Sequence, residues 1–289
     1  MAKRAEKQTK GTSVRQRREE KRREQMRRRN LQIVIGIVVI LAIGAIIFFL
    51  VNQPQDAPIP EGTLERYAGL PQGFDEETGF PILGNPAAPV RVVEASSFSC
   101  SACEVFHDTM IDDLVQLVRE GRISYIFVPN QFTGNIQNAA GAARGAICAG
   151  RQGKFWEFHD MLFDWQTRFG NAAFSQNRMV SGADALGLDV GAFRSCLGSG
   201  FVDDLLDASV DWHRENNIQG TPTTFVNGVL VSSQDRQALL QQIDIAQGNQ
   251  PPAPPVAETE TTETDVPEDA PQTEATPEIT PEATTEAGE

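Results

Sequence analysis

Residues 90–128 read VRVVEASSFSCSACEVFHDTMIDDLVQLVREGRISYIFV, and the fold turns on this stretch. Val90–Ala95 (VRVVEA) is short, rich in β-branched residues and bounded by Pro89 and Ser96, which predicts a strand; Ile123–Val128 (ISYIFV) predicts a second one. Between them, Ser101–Arg119 carries Val105, Met110, Leu114, Leu117 and Val118 at near-helical spacing. Strand, helix and strand make a βαβ unit. Its turn from strand into helix holds Cys100-Ser101-Ala102-Cys103.

That position gives the cysteines their chemistry. Two thiols at i and i+3 share one helical face and can bridge. The first, at the helix N-terminus, meets free backbone N–H groups and the positive end of the helix dipole, which stabilise a thiolate and lower its pKa. An exposed thiolate attacks disulfides, and the second sulfur can resolve the mixed disulfide that results. A structural zinc site would need a second close pair, but Cys148 and Cys196 are 48 residues apart. Haem attachment fails because Glu104 stands where a histidine is required. Neither metal nor cofactor is expected.

Two further features belong to this constellation. Glu94 lies on the first strand, six residues before Cys100. Buried beneath the cysteines it would have a raised pKa and could relay the proton of Cys103; as the outward residue of an alternating strand it would do nothing. Both readings stay open, since alternation puts Glu94 and Val92 on one face. Gly220-Thr221-Pro222-Thr223 leads straight into another predicted strand, and a proline there suggests a special turn and a possible cis bond. Thr223–Val226 and Val229–Ser232 flank Asn227-Gly228, a strong hairpin signal, and Gln234–Gln247 predicts a closing helix.

Outward from this centre the chain changes character. Of its 289 residues, 1–29 hold 13 Lys/Arg against 4 Glu, whereas 251–289 hold 11 acidic residues and no basic one. Ile33–Val51 is almost unbroken aliphatic and aromatic sequence, about 28 Å as a helix, enough to span a bilayer core. The long basic lead and the lack of an A-x-A site predict an uncleaved signal anchor with a cytoplasmic N-terminus. The basic run therefore has a sufficient explanation at the membrane, and no basic stripe elsewhere points to nucleic acid. The expected organisation is a cytoplasmic segment over 1–30, a span over 31–52, a Pro/Gly/acid-rich linker over 53–83 and a folded domain over 84–248. A disordered Thr/Pro/Glu tail follows over 249–289.

Taken in order, Gly84-Asn85-Pro86, the first strand, Cys-x-x-Cys, its helix and Gly220–Gly228 resemble the DsbA-like branch of the thioredoxin superfamily, in its membrane-anchored exported form. The resemblance implies an α/β thioredoxin fold with an α-helical insertion, here about residues 134–216. It also implies that Pro222 is cis and faces the active-site disulfide, that Thr221 offers backbone to a substrate peptide beside Ser101 and Ala102, and that Glu94 is the family's buried acid. Where the family often carries Pro and then His or another larger residue between its cysteines, this chain has Ser101 and Ala102, so Cys100 is expected to be a weaker acid than with a His there and the disulfide less strongly oxidising. The second strand has no Lys or Arg to pair with Glu94. Cys148 and Cys196, on predicted helices, are expected to form a structural disulfide, with a second redox-active pair as the alternative.

These readings converge on an extracytoplasmic thiol–disulfide oxidoreductase that oxidises exported cysteine-containing proteins and is itself reoxidised by a membrane quinone-linked partner. The alternatives are a reductase or isomerase of the same fold, and a non-catalytic peptide-binding protein of the envelope. His107, His159 and His213 look isolated in the sequence, with His107 on the helix surface, and Trp156, Phe158, Phe163 and Trp165 have the spacing of core residues.

Overall fold

The structure is a computed structural model that describes residues 2–51 and 53–248. In chain order it contains α1 (Ala2–Val51), α2 (Thr63–Tyr67), β1 (Gln72–Phe74), β2 (Pro81–Leu83), β3 (Val90–Ser96), α3 (Ser101–Arg119) and β4 (Ile123–Pro129). Five α-helices come next: α4 (Ala139–Gly150), α5 (Phe155–Phe169), α6 (Gln176–Ala185), α7 (Val190–Cys196) and α8 (Gly200–Glu215), with one 3-10 turn at Gly170–Ala172 after α5. Then β5 (Thr223–Val226), β6 (Val229–Val231) and α9 (Arg236–Ala246) close the domain.

The strands form one sheet in the order β1-β2-β4-β3-β5-β6. β3 and β4 are parallel, joined by α3, and β5 lies antiparallel on the other side of β3. β5 turns into β6 through Asn227 and Gly228, both at positive φ (46° and 80°), the backbone that a two-residue hairpin with the sheet's own twist demands. The five helices between β4 and β5 are the insertion, and the Cys148–Cys196 disulfide ties α4 to α7 within it, with Cα atoms 5.7 Å apart. Trp156, Phe158, Phe163 and Trp165 on α5 are buried and pack in the core. The fold is thioredoxin-like with a helical insertion.

Residues 63–83 do not behave as a linker. They supply α2 and two strands, β1 and β2, which extend the sheet beyond β4. Tyr67, Phe80, Ile82 and Leu83 are buried in the main core, and Asp75 pairs with Arg91 of β3. The Gly, Pro and acidic residues that suggest a free stalk are turn residues here: Asp75 accepts from Thr78 N, and Gly79 takes φ 76°. Short elements separated by such turns lack the periodicity that identifies longer ones.

At the N-terminal end, the basic and apolar stretches share the single helix α1. Its large apolar residues from Ile33 to Leu50 are exposed, and the helix is long and apolar enough to cross a membrane. The acidic tail expected over 249–289 lies outside the described residues.

Candidate active site

β3 runs into α3 through Ser97-Phe98-Ser99, and Cys100 is the residue that caps the helix, in extended conformation (φ −97°, ψ 120°). Its carbonyl accepts the N–H groups of Cys103 (3.1 Å) and Glu104 (3.2 Å). Cys100 is half-buried with exposed Ser101 and Ala102 beside it, whereas Cys103 has no exposure at all. In the dithiol form present here, Cys100 Sγ donates to the Thr221 carbonyl (3.3 Å), and Ser97 N–H donates to Cys103 Sγ (3.5 Å). The Thr221–Pro222 bond is cis.

The two thiols have opposite acidities. The Cys103 thiol donates to the Cys100 sulfur, and with the backbone N–H groups of Ala102 and Cys103 it holds the Cys100 thiolate at a pKa of about 5, burial notwithstanding. Burial pushes the Cys103 thiol far up, and its bond to Cys100 and the nearby Glu94 carboxyl push the same way. No histidine between the cysteines is needed for this division. The helix terminus and the partner thiol supply it.

Glu94 is 1 % exposed, which resolves the two readings of its strand position in favour of burial. It pairs in register with Phe127 and Thr224, and burial raises its pKa to about 7. The donor to its Oε2 is the Tyr125 hydroxyl, from the neighbouring strand β4. The sequence gives no warning of this partner, because a tyrosine on a predicted apolar strand reads as core.

A loop after β4 completes the site. Ser97 Oγ donates to the Thr133 carbonyl and Ser99 Oγ to the Ile136 carbonyl, each at 2.8 Å, and Asn135 N–H donates to the Ser99 carbonyl (3.0 Å). The hydroxyls of Thr133 and Thr221 are hydrogen-bonded at 2.9 Å. Gly134 sits at φ 102°, where a Cβ would fall 2.0 Å from the Ser99 carbonyl oxygen, so only glycine lets the loop lie this close. From α5, Gln166 Nε2 donates to the Phe98 carbonyl (2.7 Å). Ser97, Ser99, Thr133, Gly134 and Gln166 are additions to the residues foreseen from the sequence, and the Ser-Ser-Phe-Ser run before Cys100 was the one local signal for any of them.

The histidines are not all isolated. His107 and His159 have ring centroids 5.1 Å apart, and His107 Nε2 lies 2.9 Å from Asp160 Oδ1, so His107 belongs to a buried network and not to the helix surface. Burial would lower the His107 pKa, but Asp108 and Asp160 outweigh it and raise the value to about 9; burial lowers that of His159 to about 4. Among the described residues these three side chains are the group whose donor atoms converge as metal ligands might. They do not suit a cation. Asp160 Oδ1 is already engaged by the Tyr67 hydroxyl (2.6 Å) and Oδ2 by the Arg66 guanidinium, which brings a fixed positive charge.

A family model described as Thioredoxin matches residues 76–245. The chain is 27 % identical over 217 residues to a probable disulfide bond formation protein D of Bacillus anthracis, covering 74 % of this chain and 94 % of that one. It is 27 % identical over 166 residues to the disulfide bond formation protein D of Bacillus subtilis, covering 54 % and 71 %. Among solved structures it resembles oxidised BdbD from Bacillus subtilis, with a TM-score of 0.55 at 23 % identity over 62 % of this chain and 98 % of that one, a likeness of fold.

Proposed function

The chain belongs to the thioredoxin family, and on that footing we propose that it is a membrane-anchored thiol–disulfide oxidoreductase that oxidises cysteine pairs in exported proteins. Supporting the reading are the relatives named for disulfide bond formation and, above all, one observation: a half-exposed Cys100 thiolate held at low pKa beside a sealed Cys103 thiol. Stabilising the thiolate of the reduced enzyme favours that reduced form, which makes the Cys100–Cys103 disulfide an oxidant.

In the oxidised enzyme a substrate thiolate attacks Cys100 Sγ, the more accessible sulfur of the pair. The new substrate–Cys100 bond forms as the Cys100–Cys103 bond breaks, and Cys103 leaves as a thiolate. Buried and strongly basic, Cys103 takes a proton from Glu94, whose raised pKa keeps a protonated fraction available near neutral pH. A second substrate thiolate then attacks the substrate sulfur and displaces Cys100 as its stabilised thiolate. Two electrons pass from substrate to enzyme and the substrate gains a disulfide. The Thr221 carbonyl and the exposed Ser101 and Ala102 flank the attacked sulfur and would contact the substrate backbone, with Pro222 shaping that wall.

The basic run before the apolar helix favours a cytoplasmic N-terminus, with the domain outside the membrane where its targets fold. The reduced enzyme then needs an electron acceptor, and a membrane quinone-linked partner fits an enzyme fixed to the bilayer. Cys148 and Cys196 serve as a structural clasp.

Cys103→Ser tests the reading. The variant should accumulate mixed disulfides through Cys100 with envelope proteins, visible on non-reducing gels and lost on reduction, while Cys100→Ser accumulates none. If neither single variant traps a partner and the wild type fails to oxidise a dithiol peptide, the protein is a binding module and the oxidase reading falls.

A further inference from the structure

We propose that the domain docks directly on the bilayer surface, with the segment Gln53–Pro60 and the N-terminal end of α6 at the level of the lipid headgroups. The observation is how the chain leaves its apolar helix. α1 ends at Val51, and Gln53 is already fastened to the domain: its carbonyl accepts from Asn177 Nδ2 (3.2 Å). Gln55 N–H donates to Ser181 Oγ (3.2 Å), and Gln55 Oε1 accepts from Ser175 Oγ. The Asp56 carbonyl accepts from Arg178 Nε (2.7 Å) and the Pro58 carbonyl from Trp165 Nε1 (2.9 Å). Ala57 and Ile59 pack against the core.

Five successive anchors turn an apparent stalk into a strap. A free linker of 30 residues would let the domain wander by about 30 Å from its anchor. Here only Asn52 separates the helix end from the first fastened residue, and two Cα steps reach about 8 Å at most. Gln53 must therefore lie within that reach of the end of the apolar span, and Asn177 of α6 sits one hydrogen bond beyond it. The surface this presents is suited to headgroups: Gln53, Gln55 and Gln176 are exposed and uncharged amides, able to donate to phosphate and ester oxygens.

The same side of the insertion supports the thiol site. Asn138 Nδ2 donates to the Phe174 carbonyl (2.6 Å), just before Ser175, and Asn138 ends the loop that wraps Ser99 and Thr221. The strap thereby sets one edge of the site at a fixed height above the membrane, and nothing in this placement depends on which way the thiol chemistry runs.

The test uses the full chain in phosphatidylcholine/phosphatidylglycerol vesicles, with a photoreactive benzophenone side chain at Gln176 or, as a reference, at exposed Gln241 on α9, which packs against β5 and β6. Lipid adducts should form several-fold more at position 176 than at 241. Inserting about 20 Gly/Ser residues after Asn52, a tether of roughly 25 Å, should bring position 176 down to the reference level. Equal labelling at both positions, or labelling at 176 that survives the insertion, overturns the proposal. Alkaline carbonate extraction keeps the outcomes separate: protein that washes off the vesicles fails as an integral membrane protein, whereas protein that stays but labels evenly fails only in its docking. Oxidation of a dithiol peptide in solution reports the thiol chemistry independently of either.

Discussion

The Tyr125 hydroxyl donates a hydrogen bond to Glu94 Oε2 across the neighbouring parallel strands β3 and β4, and both side chains are sealed from solvent. A cation in place of the phenol would hold the carboxylate ionised and its pKa low. A neutral donor offsets only part of the burial penalty, so Glu94 keeps a pKa of about 7, where it can hold or release a proton. The phenol itself does not compete, because burial beside Glu94 drives its own pKa well above the ordinary tyrosine value. From α3 and its cap the groups facing Glu94 are Cys100, Cys103 and His107, and β5 presents only the uncharged Thr224 at its register position.

Removing that donor should therefore move the proton. In Tyr125→Phe the charged form of Glu94 loses a hydrogen bond of about 1.5–3 kcal/mol, raising its pKa by about one to two units. Carboxyl carbon NMR titration of Glu94 reads this directly, and the pH profile of substrate oxidation should shift upward in parallel. An unmoved titration would show that the phenol plays no part in setting it.

Glu94 also links stability to pH. Its folded pKa lies above the unfolded value of 4.5, so the native state holds the proton more tightly, and stability is lost as pH rises from about 4.5 through about 7. Glu94→Gln removes a penalty of about 3 kcal/mol above that window and almost nothing below it. Urea unfolding of the reduced protein at pH 4.5 and pH 8 should show the variant stabilised at the higher pH alone. Equal changes at both would mean that the effect is packing and not ionisation.

For Cys100, the thiolate absorbance near 240 nm should titrate with a midpoint at about pH 5 in the reduced enzyme. Cys103→Ala removes the largest stabilising contact of that thiolate, so the midpoint should rise and alkylation by iodoacetamide at pH 6 should slow. A midpoint that stays put would assign the low pKa to the helix terminus alone.

The Cys148–Cys196 bond closes a loop 48 residues in separation, worth about 4 kcal/mol in chain entropy. The double variant Cys148→Ala/Cys196→Ala should lose stability of that order, measured by denaturant unfolding, while the reduction potential of Cys100–Cys103 stays unchanged. A shifted potential would instead support the second pair as a redox participant.

Much of this architecture is legible in residue order. A β-branched strand, a cysteine pair opening a helix and a second apolar strand specify the βαβ unit because period-2 and period-3.6 patterns and helix-end chemistry are local properties. The span Ile33–Val51 is readable for the same reason: nothing but length and polarity decides it. Residues 63–83 resist such reading, since α2, β1 and β2 are too short to display a period and their Gly, Pro and acidic turns have the composition of a linker.

Where a side chain meets a partner far along the chain, packing alone decides. Alternation puts Glu94 on the face of Val92, but that this face is covered, and by Tyr125, depends on β4 lying in register beside β3. His107 and Asp160 are 53 positions apart and become a buried pair only because α5 packs on α3. Gln53–Pro60 becomes a strap only when α6 supplies its donors. The sequence by itself thus determined which chemistry the chain carries and that it carries an apolar helix able to span a membrane. The tertiary structure decided which proton donors surround that chemistry and how tightly the domain is bound to its anchor, because burial and long-range hydrogen bonds exist only once distant segments meet.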